Sequence, residues 1–347
     1  MIIRPLITGI LSLLPGARLI HYRRSKKYID YADARYCYSV WLRHLVSAYE
    51  SGLIPSFPRV IAELGPGSSL GAGLAGLISG AQRYYGLDIV KYCSNLHNLE
   101  IFDALVALFQ AGTPIPDENE FPSVKPTLRS YDFPGHIFSG ELFKKTPERE
   151  RISQLRKELI ALSQEHPSSF APALLPGASE GRGPAKLLLS EADPAALAGQ
   201  IHYFAPWNDT DIAGSSTVDM IYSQAVLEHA EPLDTVYKNL WKWLKPGGFM
   251  SHQIDFRSHG TAADWNGHWG YSDFMWKLIK GRKPYLINRE PLSAHIALQK
   301  EAGFKIITVK KVLSGAGLKT ARLSGRFRHL SEDDLTVSGA LIQSVKP

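Results

Sequence analysis

Two carboxylates frame a glycine-rich turn early in the chain. In "IAELGPGSSLG", residues Ile61 to Gly71, an apolar run meets Glu63, and glycines follow at Gly65, Gly67 and Gly71. Asp88 closes a second apolar run, "YYGLDIV". Glycine at a strand-to-helix bend lets the backbone approach a ligand closely and presents amide N–H groups to it. A dinucleotide is the first candidate ligand. Its fingerprint, G-x-G-x-x-G, would place the third glycine where Leu70 stands. Glu63 would also repel a pyrophosphate, whereas it suits a cation such as an amino group or a sulfonium. Asp88 is placed to accept hydrogen bonds from ribose hydroxyls. A nucleoside joined to a positively charged amino-acid portion satisfies both carboxylates.

The elements that must position these residues alternate. "YCYSVWLRHLVSAYESGL" (Tyr36 to Leu53) has apolar residues at helical spacing, stopped by Gly52. Val60 to Leu64 reads as a buried strand, "GAGLAGLISGA" as a small-residue helix that packs closely on a sheet, Tyr84 to Val90 as a second strand, and "NLEIFDALVALFQAG" as a second helix. That rhythm predicts a parallel α/β sheet. It breaks between residues 113 and 200, where prolines, a charged helix from Pro147 to Gln164 and a Pro/Ala/Gly/Ser-rich run predict an insertion, part lid and part flexible linker. Strands resume at Ile201 to Trp207, Val218 to Tyr222 and, after a helix and a Lys-Pro-Gly-Gly turn, Phe249 to Ile254. A helix from Ser293 to Ala302 and strands over Phe304 to Val312 and within "LTVSGALIQSV" complete the chain.

In register on these elements, "ELGPGSSLG", "YYGLDIV", "VDMIYSQAVLEH" and "LKPGG" resemble the successive motifs of class I S-adenosylmethionine-dependent methyltransferases, in a small-molecule, type 11-like form. The resemblance covers roughly residues 58–111 and 200–345. It implies a Rossmann-like, mostly parallel seven-stranded sheet whose last strand is antiparallel, with S-adenosylmethionine as methyl donor and S-adenosylhomocysteine as product. Carried over residue by residue, Glu63, Gly65, Pro66 and Gly67 border the methionine part, and Asp88 with Ile89 holds the ribose. Asn208 or Asp209, in "PWNDTD", contacts the adenine, and Ser223 and Gln224 face the sulfonium. The implied organisation is a helical N-terminal extension (1–57), the first half of the donor domain (58–112), the insertion (113–200), the second half (201–255), and a substrate loop with the C-terminal strands (256–347).

Methyl transfer from a sulfonium is an in-line displacement of an activated leaving group, so alignment matters most, and a base helps when the acceptor is a hydroxyl. "VLEHAEPLD" places His229 after the fourth strand, and "SHQIDFRSHGTAADWNGHWG" gathers His252, Asp255, His259, Asp264 and His268 around the end of the fifth. His229, His252 and Asp255 are the candidate catalytic residues. Architecture is the competing role for His229, and a satisfied core position for His252. No short ligand spacing of a known metal class appears, so no metal site is expected. Tyr271, Phe274, Trp276 and Tyr285 are either acceptor-pocket walls or core. Lys319, Arg322, Arg326 and Arg328 are either a clamp for an anionic acceptor or a solvated loop.

The 347 residues are 44% hydrophobic and 21% charged, which is a globular composition with a real core. Two cysteines, Cys37 and Cys93, form no disulfide framework and favour a reducing, cytoplasmic setting. A net charge of +6 permits an anionic partner without demanding nucleic acid. The apolar stretch Pro5 to Ala17 is shorter than the about 20 residues a membrane span requires. Arg18, Arg23, Arg24, Lys26 and Lys27 follow it and only Arg4 precedes it, the reverse of a signal peptide. Two readings stay open for it: a peripheral anchor at the inner membrane surface, or a helix covering the main domain. The expected acceptor is a small molecule or a glycan, methylated on oxygen. A nucleic-acid methyltransferase would carry a continuous basic, aromatic face and an Asn/Asp-Pro-Pro-aromatic motif where "SQAVLEH" stands. A non-catalytic donor-binding scaffold is the remaining alternative.

Overall fold

The computed structural model describes residues 3–14, 33–89, 93, 95–138, 146–164, 199–207, 213–283, 286–315 and 317–347. Strand β1 (Val60–Leu64) pairs in parallel with β2 (Arg83–Leu87) on one side and β4 (Val218–Gln224) on the other. β3 (Ile201–Phe204) continues the sheet beyond β2, and β5 (Leu244–Asp255) continues it beyond β4, both in parallel. β7 (Val337–Val345) runs antiparallel between β5 and β6 (Lys305–Leu313). The order β3-β2-β1-β4-β5-β7-β6 is the mostly parallel sheet with an antiparallel last strand that the motifs imply. It reverses direction between β1 and β4, and ligands of open α/β sheets bind at the carboxyl ends of the strands beside such a reversal.

Helix α1 spans Ile3–Leu11, and α2 (Ala34–Glu50) starts on Asp33, whose side chain accepts from the Arg35 amide. Tyr38, Trp41, Leu42 and Leu45 of α2 are fully buried at the centre of one of the two large apolar clusters. α3 (Gly71–Ser79) can lie on the sheet because of its glycines. A methyl at Gly73 would stand 2.1 Å from the Tyr84 ring, and one at Gly76 2.3 Å from Ile61 Cδ1. The second large cluster, on the opposite face of the sheet, centres on α6 (Leu233–Trp243) and α8 (Leu292–Glu301).

Three expectations change. The Lys-Pro-Gly-Gly turn lies inside β5 as a bulge. Val218 pairs with Leu244 and Met220 with Phe249, so β5 carries extra residues there, and Gly247 takes φ +77°. The fourth strand runs on to Gln224, past Ser223.

Third, residues 113–138 are fastened and not free. Arg43 of α2 is fully buried and donates Nη1 to Glu118 (2.6 Å), Val124 O (3.1 Å) and Pro126 O (2.8 Å), and Nη2 to Pro116 O (2.8 Å). It also lies over the Tyr131 ring. One buried guanidinium thus ties down three carbonyls and one carboxylate of this strap. Farther on, α4 (Asn95–Gln110) packs against α5 (Thr146–Gln164), whose Glu158 accepts from the Gln200 and Ile201 amides at the entry to β3. The rest of the expected linker lies outside the described residues.

α1 crosses α7 (Asp273–Lys280) at Gly9, where a methyl would stand 2.0 Å from Leu278 O. Ile3, Ile7, Ile10, Leu11 and Leu14 turn outward and are exposed. No helix among the described residues is long and apolar enough to cross a membrane.

Candidate functional site

A cavity of about 610 Å³ opens where β1, β4 and β5 end. β1 delivers Glu63 and then turns through Gly65 (φ +64°) and Gly67 (φ +73°). A methyl at Gly65 would fall 2.7 Å from Val226 Cγ2, so this turn is pressed against the loop after β4. A methyl at Gly67 would meet nothing nearer than Gly65 O at 4.0 Å, so that backbone faces open space. Asp88 braces the turn. Its Oδ2 accepts from the Gly67 amide (3.2 Å) and its Oδ1 from the Ile89 amide (2.9 Å). Asn98 of α4, 1% exposed, accepts from the Leu70 amide (2.9 Å) and anchors the far side.

Glu63 is 6% exposed, deeper than a rim position. Its Oε2 accepts from Tyr84 of β2 (2.7 Å) and Tyr222 of β4 (3.1 Å). Burial pushes its pKa up from 4.5 to about 7, against the pull of the two tyrosine hydrogen bonds. A carboxylate that is costly to ionise alone is well matched to a ligand that arrives with a positive charge.

The residues expected beside it divide. Gly65, Pro66, Gly67, Gln224 and His229 line the cavity together with Glu63, and Asp255 joins them from β5. Ser223 does not. It is fully buried and its Oγ pairs with His252 Nδ1 at 2.8 Å, so it is withdrawn from the cavity. His252 sits in the core position that competed with its catalytic role. It is fully buried, does not line the cavity, and burial drives its pKa down to about 3, so it is a neutral core residue. Asp88 and Ile89 lie at the end of β2 outside the cavity lining, Asp88 6% exposed and Ile89 exposed. Asn208 and Asp209 lie outside the described residues.

Asp255 is ionised but a weak base. Burial raises its pKa, yet hydrogen bonds from His259 and Arg257 outweigh that and hold it well below the usual carboxylate range. Arg257 contributes its amide, Nε and Nη2, at 2.6–3.0 Å. His259 Nε2 stands 3.3 Å from Asp255 Oδ2, and the His259 and His229 rings meet edge to face at 5.1 Å. Beside them lies Glu228, which the sequence reading overlooked and whose carboxyl burial holds well above its ordinary range. The signal was present as a carboxylate next to a histidine on a strand-end turn.

The core alternative holds for Tyr271 and Trp276, which pack with Ile279 and Ile287 in a separate cluster. Phe274 is 71% exposed, and Tyr285 lies outside the described residues. Arg326 pairs with Glu290 and Asp273, while Lys319, Arg322 and Arg328 are exposed and do not line the cavity. The cavity is walled instead by Tyr36 and Val40 of α2 and by Phe121 to Lys125 of the strap.

No protein-family model and no curated protein matches the sequence. Solved structures do. An S-adenosylmethionine dependent methyltransferase from Mesorhizobium loti is similar over 85% of this chain and 94% of its own, at 12% identity and TM-score 0.37. Phosphoethanolamine N-methyltransferase 2 from Haemonchus contortus, solved with S-adenosyl-L-methionine, is similar over 93% of this chain and 61% of its own, at 13% identity and TM-score 0.37. The YcgJ protein from Bacillus subtilis is similar over 87% and 98%, at 10% identity and TM-score 0.37. What decides the fold is the chain's own strand order, with its reversal at β1 and β4 and its antiparallel β7. The chain has the class I methyltransferase fold. The glycine turn after β1 lines one side of the cavity, and the β4 and β5 ends, with His229, Asp255 and His259, line the other.

Proposed function

We propose that this protein is an S-adenosylmethionine-dependent methyltransferase that methylates a hydroxyl of a small-molecule or glycan acceptor. One observation carries the reading: a buried carboxyl, Glu63, and two left-handed glycines open into the same cavity as a pair of imidazoles from the next two strands. The donor supplies an electrophilic methyl on a positively charged sulfur. Glu63 and the Gly65–Gly67 turn receive its amino-acid portion. Asp88 and Ile89 meet the ribose, and Asn208 or Asp209 the adenine. Gln224 stands between donor and acceptor. The acceptor hydroxyl enters against His229 and His259, under the strap. As its oxygen bonds to the methyl, the carbon–sulfur bond breaks, a neutral thioether leaves, and the hydroxyl proton passes to solvent on the side of His229 and His259. Alignment of this kind can supply on the order of 7–11 kcal/mol. The outward apolar face of α1 favours an acceptor held at a lipid surface, such as a lipid-linked glycan.

The test is formation of S-adenosylhomocysteine from the donor across a panel of hydroxylated acceptors, with donor affinity measured separately by calorimetry. Donor binding together with acceptor-dependent turnover is expected. Asp88→Asn should weaken donor affinity; unchanged affinity would reject the ribose assignment. Tight donor binding with no turnover on any acceptor would point to a scaffold.

A further inference from the structure

Glu228 and His229 leave β4 on a single 3₁₀ turn (Leu227–His229), and His259 sits on the loop after β5. One ligand-capable atom of each lies within 4.8 Å of the others. Glu228 is 2% exposed, and its carboxyl meets only the backbone amides of Glu228 and Asp255, with neither oxygen in a well-formed hydrogen bond to any side chain among the described residues. Burying a carboxyl so poorly partnered costs free energy, so native folds rarely do it without a counterpart from outside the chain. The loop is also bent to present the second imidazole. His259 takes φ +46° and Gly260 φ +74°, and His259 Nε2 stands 3.3 Å from Asp255 Oδ2. Asp255 is held in turn by three nitrogens of Arg257. A histidine backed by a carboxylate is the usual outer arrangement of a metal ligand, since the carboxylate fixes the tautomer and aims the other nitrogen.

We propose that Glu228, His229 and His259 bind one divalent transition-metal ion, with Asp255 orienting His259. Two imidazoles and one carboxylate suit manganese, iron, cobalt or zinc, and three protein ligands leave coordination positions open. Those positions face the cavity, because His229 and His259 both line it. The role of the ion, though not its binding, rests on the methyltransferase reading. An acceptor oxygen bound to the ion loses its proton to solvent more readily, and then forms its bond to the methyl carbon as the carbon–sulfur bond breaks. The acceptors selected are those with a metal-ligating hydroxyl, such as a vicinal diol. This departs from the expectation of no metal because the ligands come from two separate loops, which no sequence spacing displays.

The experiment titrates Mn²⁺ and Zn²⁺ into the EDTA-treated, dialysed full-length protein by calorimetry, with elemental analysis for stoichiometry. One ion per chain is expected. Glu228→Gln, isosteric and uncharged, and His259→Ala, on an exposed loop, should each weaken binding at least about tenfold. Asp255→Asn should weaken it by roughly 10–100-fold, as loss of an outer-shell partner does. Failure of both ions to bind, or equal binding to the wild type and to Glu228→Gln and His259→Ala, would overturn the proposal. Donor affinity of the same EDTA-treated protein is measured in parallel. Loss of the donor result with metal binding intact rejects the methyltransferase reading alone, and the converse rejects the metal site alone.

Discussion

On the proposed function, donor binding at Glu63 would be coupled to protons, and the coupling can be worked from the surroundings of that carboxyl. The groups that face it are Tyr84 from β2, Tyr222 from β4, Cys37 from α2 and, at longer range, Asp88. Burial dominates and raises the carboxyl from 4.5 to about 7. At 1.36 kcal/mol per unit, ionising Glu63 in the free protein costs roughly 3 kcal/mol more than in the unfolded chain. For an acid whose native pKa is raised, this contribution to stability is whole below pH 4.5 and is lost as pH rises through 7. A sulfonium ligand favours the carboxylate, so donor affinity should climb with pH up to about 7, by at most tenfold per unit, and then level off. The donor's own amino group titrates near 8, above this window. Calorimetry at pH 6 in buffers of different ionisation enthalpy should register release of close to one proton on binding. Glu63→Gln can still accept from both tyrosines; it should abolish the pH dependence and weaken binding at pH 8. The same variant should be more stable than the wild type at pH 8.5 in the absence of donor, by up to roughly 3 kcal/mol, and equal to it at pH 4. Wild-type affinity that stays flat from pH 5.5 to 7.5, or a Gln variant less stable at pH 8.5, would refute the reasoning.

Gly65→Ala combines a left-handed backbone with a methyl 2.7 Å from Val226, so donor affinity should fall more than about tenfold, read by calorimetry, with the strain costing on the order of 1–3 kcal/mol. Arg43→Met strands Glu118 and three strap carbonyls; denaturant unfolding should show a loss of about 3–5 kcal/mol, and limited proteolysis should cut within residues 113–138. His252→Ala should lower stability by roughly 2–4 kcal/mol as a core cavity does, while donor affinity of the folded protein stays unchanged; a loss of turnover at wild-type stability would return it to the active site. Acidification should unfold the protein steeply, because burial lowers the pKa values of His44 to about 4 and of His252 and His295 to about 3. Their stabilising neutral form persists above 6.5 and is lost as pH falls toward 4, which would appear in urea midpoints taken every half unit.

The glycine turn, both carboxylates and the sheet could be read from sequence because each depends on neighbours a few residues away. Strand hydrophobicity, the bend after β1 and Asp88 at the end of β2 are local patterns. What was illegible depends on distance. His252 and Ser223 look like strand-end chemistry, but β4 and β5 are covered on both faces, so alternation along the strand cannot tell a cavity side chain from an interior one. Arg43 reads as one more charge on a helix, although its partners lie 73 to 83 residues away in a proline-rich stretch that looks like a linker. Glu228 acquires meaning only when parallel pairing of β4 with β5 sets its turn beside the loop of His259.

That pairing also bears on which acceptor fits. Gln224 and Gln253 face each other across β4 and β5 and both line the cavity; Gln224 interacts with the buried His44, and the side-chain oxygen of Gln253 has no hydrogen-bond partner among the described residues. Leaving a buried acceptor atom unpaired costs about 1–3 kcal/mol. On the proposed function, an acceptor bearing hydroxyl or ammonium hydrogens would answer that oxygen, whereas a purely apolar one would leave it stranded. The same cavity meets that ligand with Phe121 and Val124 of the strap and Val40 of α2 on its other side. A polar edge set against an apolar wall is how one face of a sugar ring differs from the other. On the proposed function, the strap held by Arg43 would act as a specificity element: the sheet would fix where the methyl is delivered, and residues 121–125 would limit what can lie beneath it.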